Sequence, residues 1–500
     1  MNTKNIYTIS ASLLCISLAA CDSDFDNPVS PGTADAGDAD FTTFVAIGDS
    51  LTAGFADSAL YTSGQENSFP NMLAGQFALA GGGTFTQPLM GDDLGGMTVF
   101  AAPFAANRLV FDAVTSAPEP AAGTADGTEA TDGSLTGMTF NNLGVPGAKS
   151  FHLGPTLTTY GDPAALPAAN PYYIRMATAT NSSMIADAAA QAPTFFVLWI
   201  GNNDILGYAT GGGTGVVRDA VMTPSDADPS TYGSEDITDT TVFQGVYDGL
   251  LLTLAAANPN AKGVLVNLPD VNAIPYFTTV PFNSVPLDQA TADLLNAGYA
   301  AYNAGVQSAL GFGGMTQDEV DARQITFVAG QNPVVIFDET LTDLTPANAA
   351  LISMRQATAD DLIVLPASSK IGVDAGSGTQ GIEFPLADED VLIPSEQAAV
   401  EAARTAFNAT ISAAAAGNPN LVLYDAAADL DTLAASGISY GGGTITDDYV
   451  TGGGFSLDGV HPTARGYAVI ANGIIDTINA GFNASIPPVD PGAKTTVFFK

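Results

Sequence analysis

Four short runs in this 500-residue chain carry side chains suited to acyl transfer: Ala46-Ile47-Gly48-Asp49-Ser50-Leu51-Thr52-Ala53-Gly54, Asn142-Leu143-Gly144-Val145-Pro146-Gly147, Gly201-Asn202-Asn203-Asp204 and Asp458-Gly459-Val460-His461-Pro462. A hydroxyl becomes a nucleophile when a base stands beside it. The base needs a carboxylate behind it, to orient it and to stabilise its cationic form. The oxyanion that forms needs fixed N–H donors. Ser50 follows an apolar run on a Gly-Asp turn, a position that can expose its hydroxyl. His461 can be the base; the chain has two His, and the other is His152. Asp458 lies three residues before His461, so one local turn can present both to one cleft. Gly144 has no side chain, so its N–H can approach a substrate oxygen closely. Asn203 offers a side-chain amide as another donor.

Each run also has a plain structural reading. Ser50 can mark a tight turn, Asn203 and Asp204 a strand end, and Asp458 with His461 a local hydrogen bond. His152, beside Phe151, reads as structural or surface, with substrate contact as the alternative. Trp199 reads as core. Tyr208, soon after the third run, reads as packing, with a place on the cleft wall as the alternative.

Together and in order, the four runs resemble the blocks of the SGNH, or GDSL, hydrolase family over about residues 41–480. The resemblance implies an α/β fold, a flavodoxin-like three-layer α/β/α sandwich around a parallel sheet. It implies nucleophile Ser50, base His461 and carboxylate Asp458. It implies an oxyanion hole from the Ser50 N–H, the Gly144 N–H and the Asn203 side chain. The family's third block reads Gly-x-Asn-Asp, which selects Asn203 over Asn202. Val266-Asn267-Leu268-Pro269-Asp270 also resembles a strand-end segment of the family's longer members. The activity implied is hydrolysis of a carboxylic ester through an acyl-enzyme, with no metal or other cofactor. The substrate is a lipid or an acylated carbohydrate, the latter making the protein an O-acetyl esterase. A rival of another class is a non-catalytic glycan binder on a hydrolase scaffold.

The elements that must position these residues are legible as alternating patterns. Phe41 to Ile47, Thr194 to Ile200 and Gly263 to Leu268 are apolar, β-branched or aromatic runs that read as buried strands. Asn71 to Ala80, Met184 to Ala192 and Val242 to Ala257 read as helices. Such alternation implies a parallel sheet covered on both faces. Residues 115–137 read as an exposed loop and about 340–395 as an insertion. Ala301-Tyr302-Asn303-Ala304 before Val334 to Asp338 echoes Ala406-Phe407-Asn408-Ala409 before Leu421 to Asp425, as a duplication or by chance. The hydrolase domain is expected over 41–484, with a C-terminal tail over 485–500.

The first residues read as an address. Lys4 and the apolar run Ile6 to Ala20 form a secretory signal, too short to span a membrane. Leu18-Ala19-Ala20-Cys21 resembles the bacterial lipoprotein motif, which implies cleavage after residue 20 and diacylation of Cys21. Cys15 would leave with the signal. Residues 21–40 read as a flexible acidic tether. Asp22, Asp24 and Asp26 start like a calcium loop but lack its Gly and Glu. The expected place is the cell envelope, with lipid on Cys21 as the membrane contact. With 13 Lys and Arg against 52 Asp and Glu, the formal charge is −39. Such a surface repels nucleic acid. It also fits adaptation to high salt, which screens self-repulsion. Two Cys in all leave no disulfide framework and no Cys-based zinc site.

Overall fold

The computed structural model describes residues 34–154, 159–376 and 378–500. The expectations for the signal, Cys15, Cys21 and residues 22–33 lie outside the described residues.

Strands β1 (Phe44–Gly48), β2 (Asn142–Gly144), β3 (Phe195–Trp199), β4 (Lys262–Val266) and β5 (Leu421–Tyr424) form one sheet in the order β2-β1-β3-β4-β5. Every pairing in it is parallel. β1 and β3 are buried at every residue, which is why both read as unbroken apolar runs.

The helices used below are α1 (Ser50–Ala53), α2 (Phe69–Ala78), α3 (Met184–Ala189), α4 (Asn203–Thr210), α5 (Thr240–Ala257), α6 (Gln289–Ser308), α7 (Pro394–Ala416), α8 (Ala426–Ser436) and α9 (Ala464–Gly481). Their starts are capped as the sequence dictates. Asp239 accepts from Thr241 N and Val242 N at α5, and Thr463 accepts from Gly466 N at α9. Helices α3, α5 and α7 pack in series. Phe243 of α5 stacks on Phe407 of α7 at 4.0 Å. A second group joins α2, α8 and α9. There Phe77 of α2 meets Phe41, Phe44 and Phe195 in an aromatic cluster.

Several boundaries differ from the sequence expectation. The excursion expected over 340–395 is longer: the chain leaves β4 after Val266 and rejoins the sheet's helices at Pro394. Within it α6 builds its own core from Leu295, Tyr299, Tyr302, Val306, Phe327 and Leu351. Arg323 is wholly buried there, donating to Glu319 and to the carbonyls of Thr342 and Ile352. The internal echo is local only. Asn303 clamps the backbone of Ile325 and Asn408 that of Leu268, each by two hydrogen bonds. The strands that follow part company. Val335–Phe337 pairs antiparallel with Met354–Gln356, whereas β5 joins the parallel sheet.

Residues 115–137 are not one open loop. Ala117–Pro120 forms a hairpin with Leu109–Asp112, and Thr128–Glu129 lies beside Met97–Val99. The expected tether ends before residue 40: Asp35 bridges Ser485, and Asp38 N donates to Phe482 O. Nor is 485–500 a free tail. Asn479 and Asn472 accept from Ile486 N and Val489 N, and Arg108 lies over the Phe498 ring at 3.8 Å. These ends satisfy their backbone groups on the domain through partners far away in sequence.

Candidate active site

Gly48 is paired with Gly144 on one side and with Trp199 on the other. The residues after β1, β2 and β3 therefore emerge side by side at the carboxyl edge of the sheet. Open parallel sheets hold ligands at this edge.

Ser50 opens α1 directly after β1. Asp49 caps that helix: Oδ1 accepts from Leu51 N at 3.0 Å and Oδ2 from Asn202 Nδ2 at 2.9 Å. Burial pushes the Asp49 carboxyl up to about 6, against the opposing pull of the Asn202 amide and Leu51 N–H. Asn202, the residue not selected in the third run, thus ties the end of β3 to the turn carrying Ser50.

His461 Nε2 lies 2.9 Å from Ser50 Oγ, and its Nδ1 lies 2.9 Å from Asp458 Oδ2. The turn between Asp458 and His461 depends on Gly459, whose φ of +72° is open to glycine at little strain. Asp458 accepts further from His461 N, Val460 N, Ser456 Oγ and Ser58 N. Burial alone would raise its carboxyl. The neighbouring imidazole and these donors override burial and hold it at about 2. An ionised carboxylate only accepts, so Nδ1 carries the proton and Nε2 presents its lone pair to Ser50. Phe55 packs against the imidazole at 4.7 Å.

A clamp behind this relay escaped sequence reading. Asp57 and Ser58 have φ of +53° and +61°, a conformation that L residues rarely hold. Asp57 N donates to Ser456 Oγ, Asp57 Oδ1 accepts from Leu457 N, and Asp57 Oδ2 accepts from Tyr61 Oη. The turn after α1 is so fastened to the loop that carries Asp458.

The donors need one correction. The Gly144 N–H is buried in β2 and donates to Asn142 Oδ1 at 2.9 Å. It faces no cleft. A Cβ there would lie 2.2 Å from Ala53 N, so glycine serves close packing of β2 on α1. Gly147, three residues on, has φ of +78° and lines a surface recess with Asn203. Its N–H meets no protein acceptor among the described residues. The signal was present in Asn142-Leu143-Gly144, since Asn commonly accepts from the N–H two residues on. Asn203 opens α4, half-buried, and one amide hydrogen is spent on Ala148 O at 3.0 Å. Its second hydrogen is free to donate. The Ser50 N–H also has no protein acceptor among the described residues.

Asp204 is wholly buried and accepts from Ser150 N and Ser150 Oγ. Burial raises its carboxyl, opposed by Ser150 and Lys149, and it acts as a strut between α4 and the segment after β2. His152 is half-buried and borders the same recess as Gly147 and Asn203. Its Nδ1 accepts from Lys149 N, its ring stacks on Tyr160 at 4.3 Å, and burial with the Lys149 charge pushes its pKa down to about 3. Trp199 and Tyr208 are both buried. Away from the residues around Ser50, the oxygens of Glu339, Asp388 and Glu396 lie within 4.8 Å of one another, close enough to share protons or a cation.

Comparison of the chain with family models, with curated proteins and with solved structures finds no match.

Proposed function

We propose that the chain is a serine hydrolase of the SGNH, or GDSL, type that cleaves carboxylic esters through an acyl-enzyme. The carrying observation is the relay from Ser50 Oγ through the His461 ring to Asp458 Oδ2, with both contacts at 2.9 Å. The strand order supports the flavodoxin-like reading, since 2-1-3-4-5 is that fold's order. The two helix groups are consistent with a three-layer sandwich.

In this reading Ser50 Oγ attacks the ester carbonyl as His461 Nε2 takes its proton. Asp458 stays ionised and stabilises the imidazolium. The oxyanion is met by the Ser50 N–H, the Gly147 N–H and the free amide hydrogen of Asn203. His461 then gives the proton to the leaving alcohol. Water, deprotonated by His461, attacks the acyl-enzyme; the bond to Ser50 Oγ breaks, His461 returns the proton to Oγ, and the acid leaves. The anchoring proposal rests on Cys21 alone: an envelope protein held by lipid on that residue, with more than one chain for stable attachment.

The test is labelling with an alkyl fluorophosphonate, followed by mass analysis. Label on Ser50, lost in Ser50→Ala together with ester hydrolysis, is the expected result. An unlabelled wild-type protein, or full activity in Ser50→Ala, overturns the assignment.

A further inference from the structure

Shortly after α1 the chain makes a tight turn through Asp57 and Ser58. Ala56 and Ala59 close it by exchanging backbone hydrogen bonds, Ala56 N to Ala59 O at 3.1 Å and Ala59 N to Ala56 O at 3.0 Å. The two residues between them both have positive φ, +53° and +61°. That pair of signs marks a type I′ turn, which favours Asn-Gly or Asp-Gly. Ser58 in the Gly place holds a conformation that persists only where the surroundings over-determine it.

Both N–H groups of this turn lead to Asp458. Ser58 N donates to Asp458 Oδ2 at 2.9 Å, the oxygen that also faces His461 Nδ1. Asp57 N donates to Ser456 Oγ at 2.9 Å, and Ser456 Oγ donates on to Asp458 Oδ1 at 3.1 Å. Successive backbone N–H groups in a turn can form a concave site for an anion. Here the anion is the relay carboxylate, reached once directly and once through a buried hydroxyl. The Asp57 side chain holds the turn: Oδ1 accepts from Leu457 N at 3.0 Å and Oδ2 from Tyr61 Oη at 2.8 Å. Burial pushes this carboxyl up to about 6, against the pull of those two donors.

We propose that Asp57 and Ser456 are positioning residues: through the Asp57-Ser58 turn they fix both oxygens of Asp458 relative to α1, and so set the line from Asp458 through His461 to Ser50. This rests on the hydrolase reading above. The need is geometric. Ser50 opens a helix directly after a central strand, whereas Asp458 and His461 lie on a loop outside the helices and strands. That loop must be indexed to α1 if Nε2 is to stay beside Oγ. The bonds that Asp458 accepts from Val460 N and His461 N come from its own loop and cannot do this. The turn can, because it continues the chain from α1. Its bonds close a ring of Ser50, α1, the turn, Asp458, His461 and Ser50 again. A misplacement of about 1 Å in such an arrangement costs on the order of 10² in rate.

The experiment compares Asp57→Ala, which removes both side-chain bonds, with Asp57→Asn, which keeps the shape. Asn tolerates positive φ; its carbonyl can accept from Leu457 N and its amide can donate to the Tyr61 oxygen. On p-nitrophenyl butyrate, folded Asp57→Ala should lose at least tenfold in kcat with KM within twofold, while Asp57→Asn keeps at least a third of the wild-type kcat. The second readout is the His461 Nδ1–H resonance in protein carrying isotope-labelled histidine. His152, the other imidazole, uses Nδ1 as an acceptor and adds no such signal. The resonance should be sharp in the wild type and in Asp57→Asn, and broadened or lost to exchange with water in Asp57→Ala. A smaller kcat loss in folded Asp57→Ala, an Asp57→Asn below a third, or a resonance that Asp57→Ala leaves unchanged overturns the proposal. Should Asp57→Ala fail to fold, Ser456→Ala carries the test, since it cuts the path to Oδ1 and leaves the Asp57 side-chain bonds. It should lose at least fivefold in kcat and weaken the same resonance; a smaller loss overturns the proposal. Failure of the hydrolase reading looks different: the wild type cuts no ester and takes no fluorophosphonate, and the resonance alone then decides whether the turn positions Asp458 and His461.

Discussion

In the proposed mechanism His461 serves as base only if its proton sits on Nδ1, and Asp458 decides that. Its carboxyl, held at about 2, is an acceptor throughout the neutral range. Asp458→Asn removes the charge and lets an amide N–H face Nδ1, favouring the wrong tautomer. The expected loss in kcat is on the order of 10⁴ with the fold retained. A loss below tenfold would count against the relay. The donors separate equally well. Asn203→Ala should cost on the order of 10²–10³ in kcat with little change in KM. Gly144→Ala should instead fail in folding, because its Cβ would press on the α1 backbone. Gly147→Ala has room, the nearest atom being Asn170 Nδ2 at 3.9 Å. It should fold, with a strain penalty of about 1–2 kcal/mol from its positive φ. Circular dichroism melts beside activity assays distinguish the two. Asp458 and His461 were legible because one short turn supplies both. The support from Asp57, Ser58 and Ser456 was not, because it joins residues 399 positions apart. The glycine was misassigned because two glycines three apart look alike until an acceptor claims one N–H.

At the scale of elements, β1 and β3 were readable because strands buried on both faces are unbroken apolar runs. The excursion after β4 was harder. Its helix α6 has the same helical spacing of apolar residues as the main helices, and sequence does not say which core a helix joins. Where the excursion returns, Glu339 and Asp388 meet Glu396 in the first turn of α7. Burial, then the neighbouring carboxylates, raises the carboxyls of Asp388 and Glu396. A carboxyl raised in the folded state binds more protons there than in the unfolded chain. Stability from this group is therefore present below the ordinary carboxylate range and falls as pH rises through the raised values. Glu396→Gln removes one member of the repelling set and leaves an amide that can donate. Its melting temperature, measured with EDTA present, should exceed that of the wild type at pH 9 and converge with it near pH 5. Equal melting at both pH values would show that repulsion here does not govern stability.

Most of the few cations among the described residues are spent on internal contacts. Among the described residues Arg108, Arg218, Arg323, Arg355, Lys370, Arg404 and Lys500 are in ion pairs. Arg355 alone joins Asp338 and Asp361. Lys149 and Arg465 are bound to backbone carbonyls, and Arg175 donates to Leu89 O. The outer surface is left with carboxylates that face water and one another, at a formal charge of −39 for the chain. Self-repulsion of that size opposes the compact state. Salt shortens its reach, from about 10 Å at 0.1 M to about 3 Å at 1 M. The ion pairs are mostly half-buried or better, so the same salt screens them less. Raising NaCl from about 20 mM to 1 M should therefore raise the melting temperature, with most of the gain at the low end where the screening length changes fastest. KCl should act equally, because the effect is screening and not a bound ion. A melting temperature that stays level or falls over that range would mean that the paired cations, rather than the unpaired carboxylates, dominate the electrostatics of this fold.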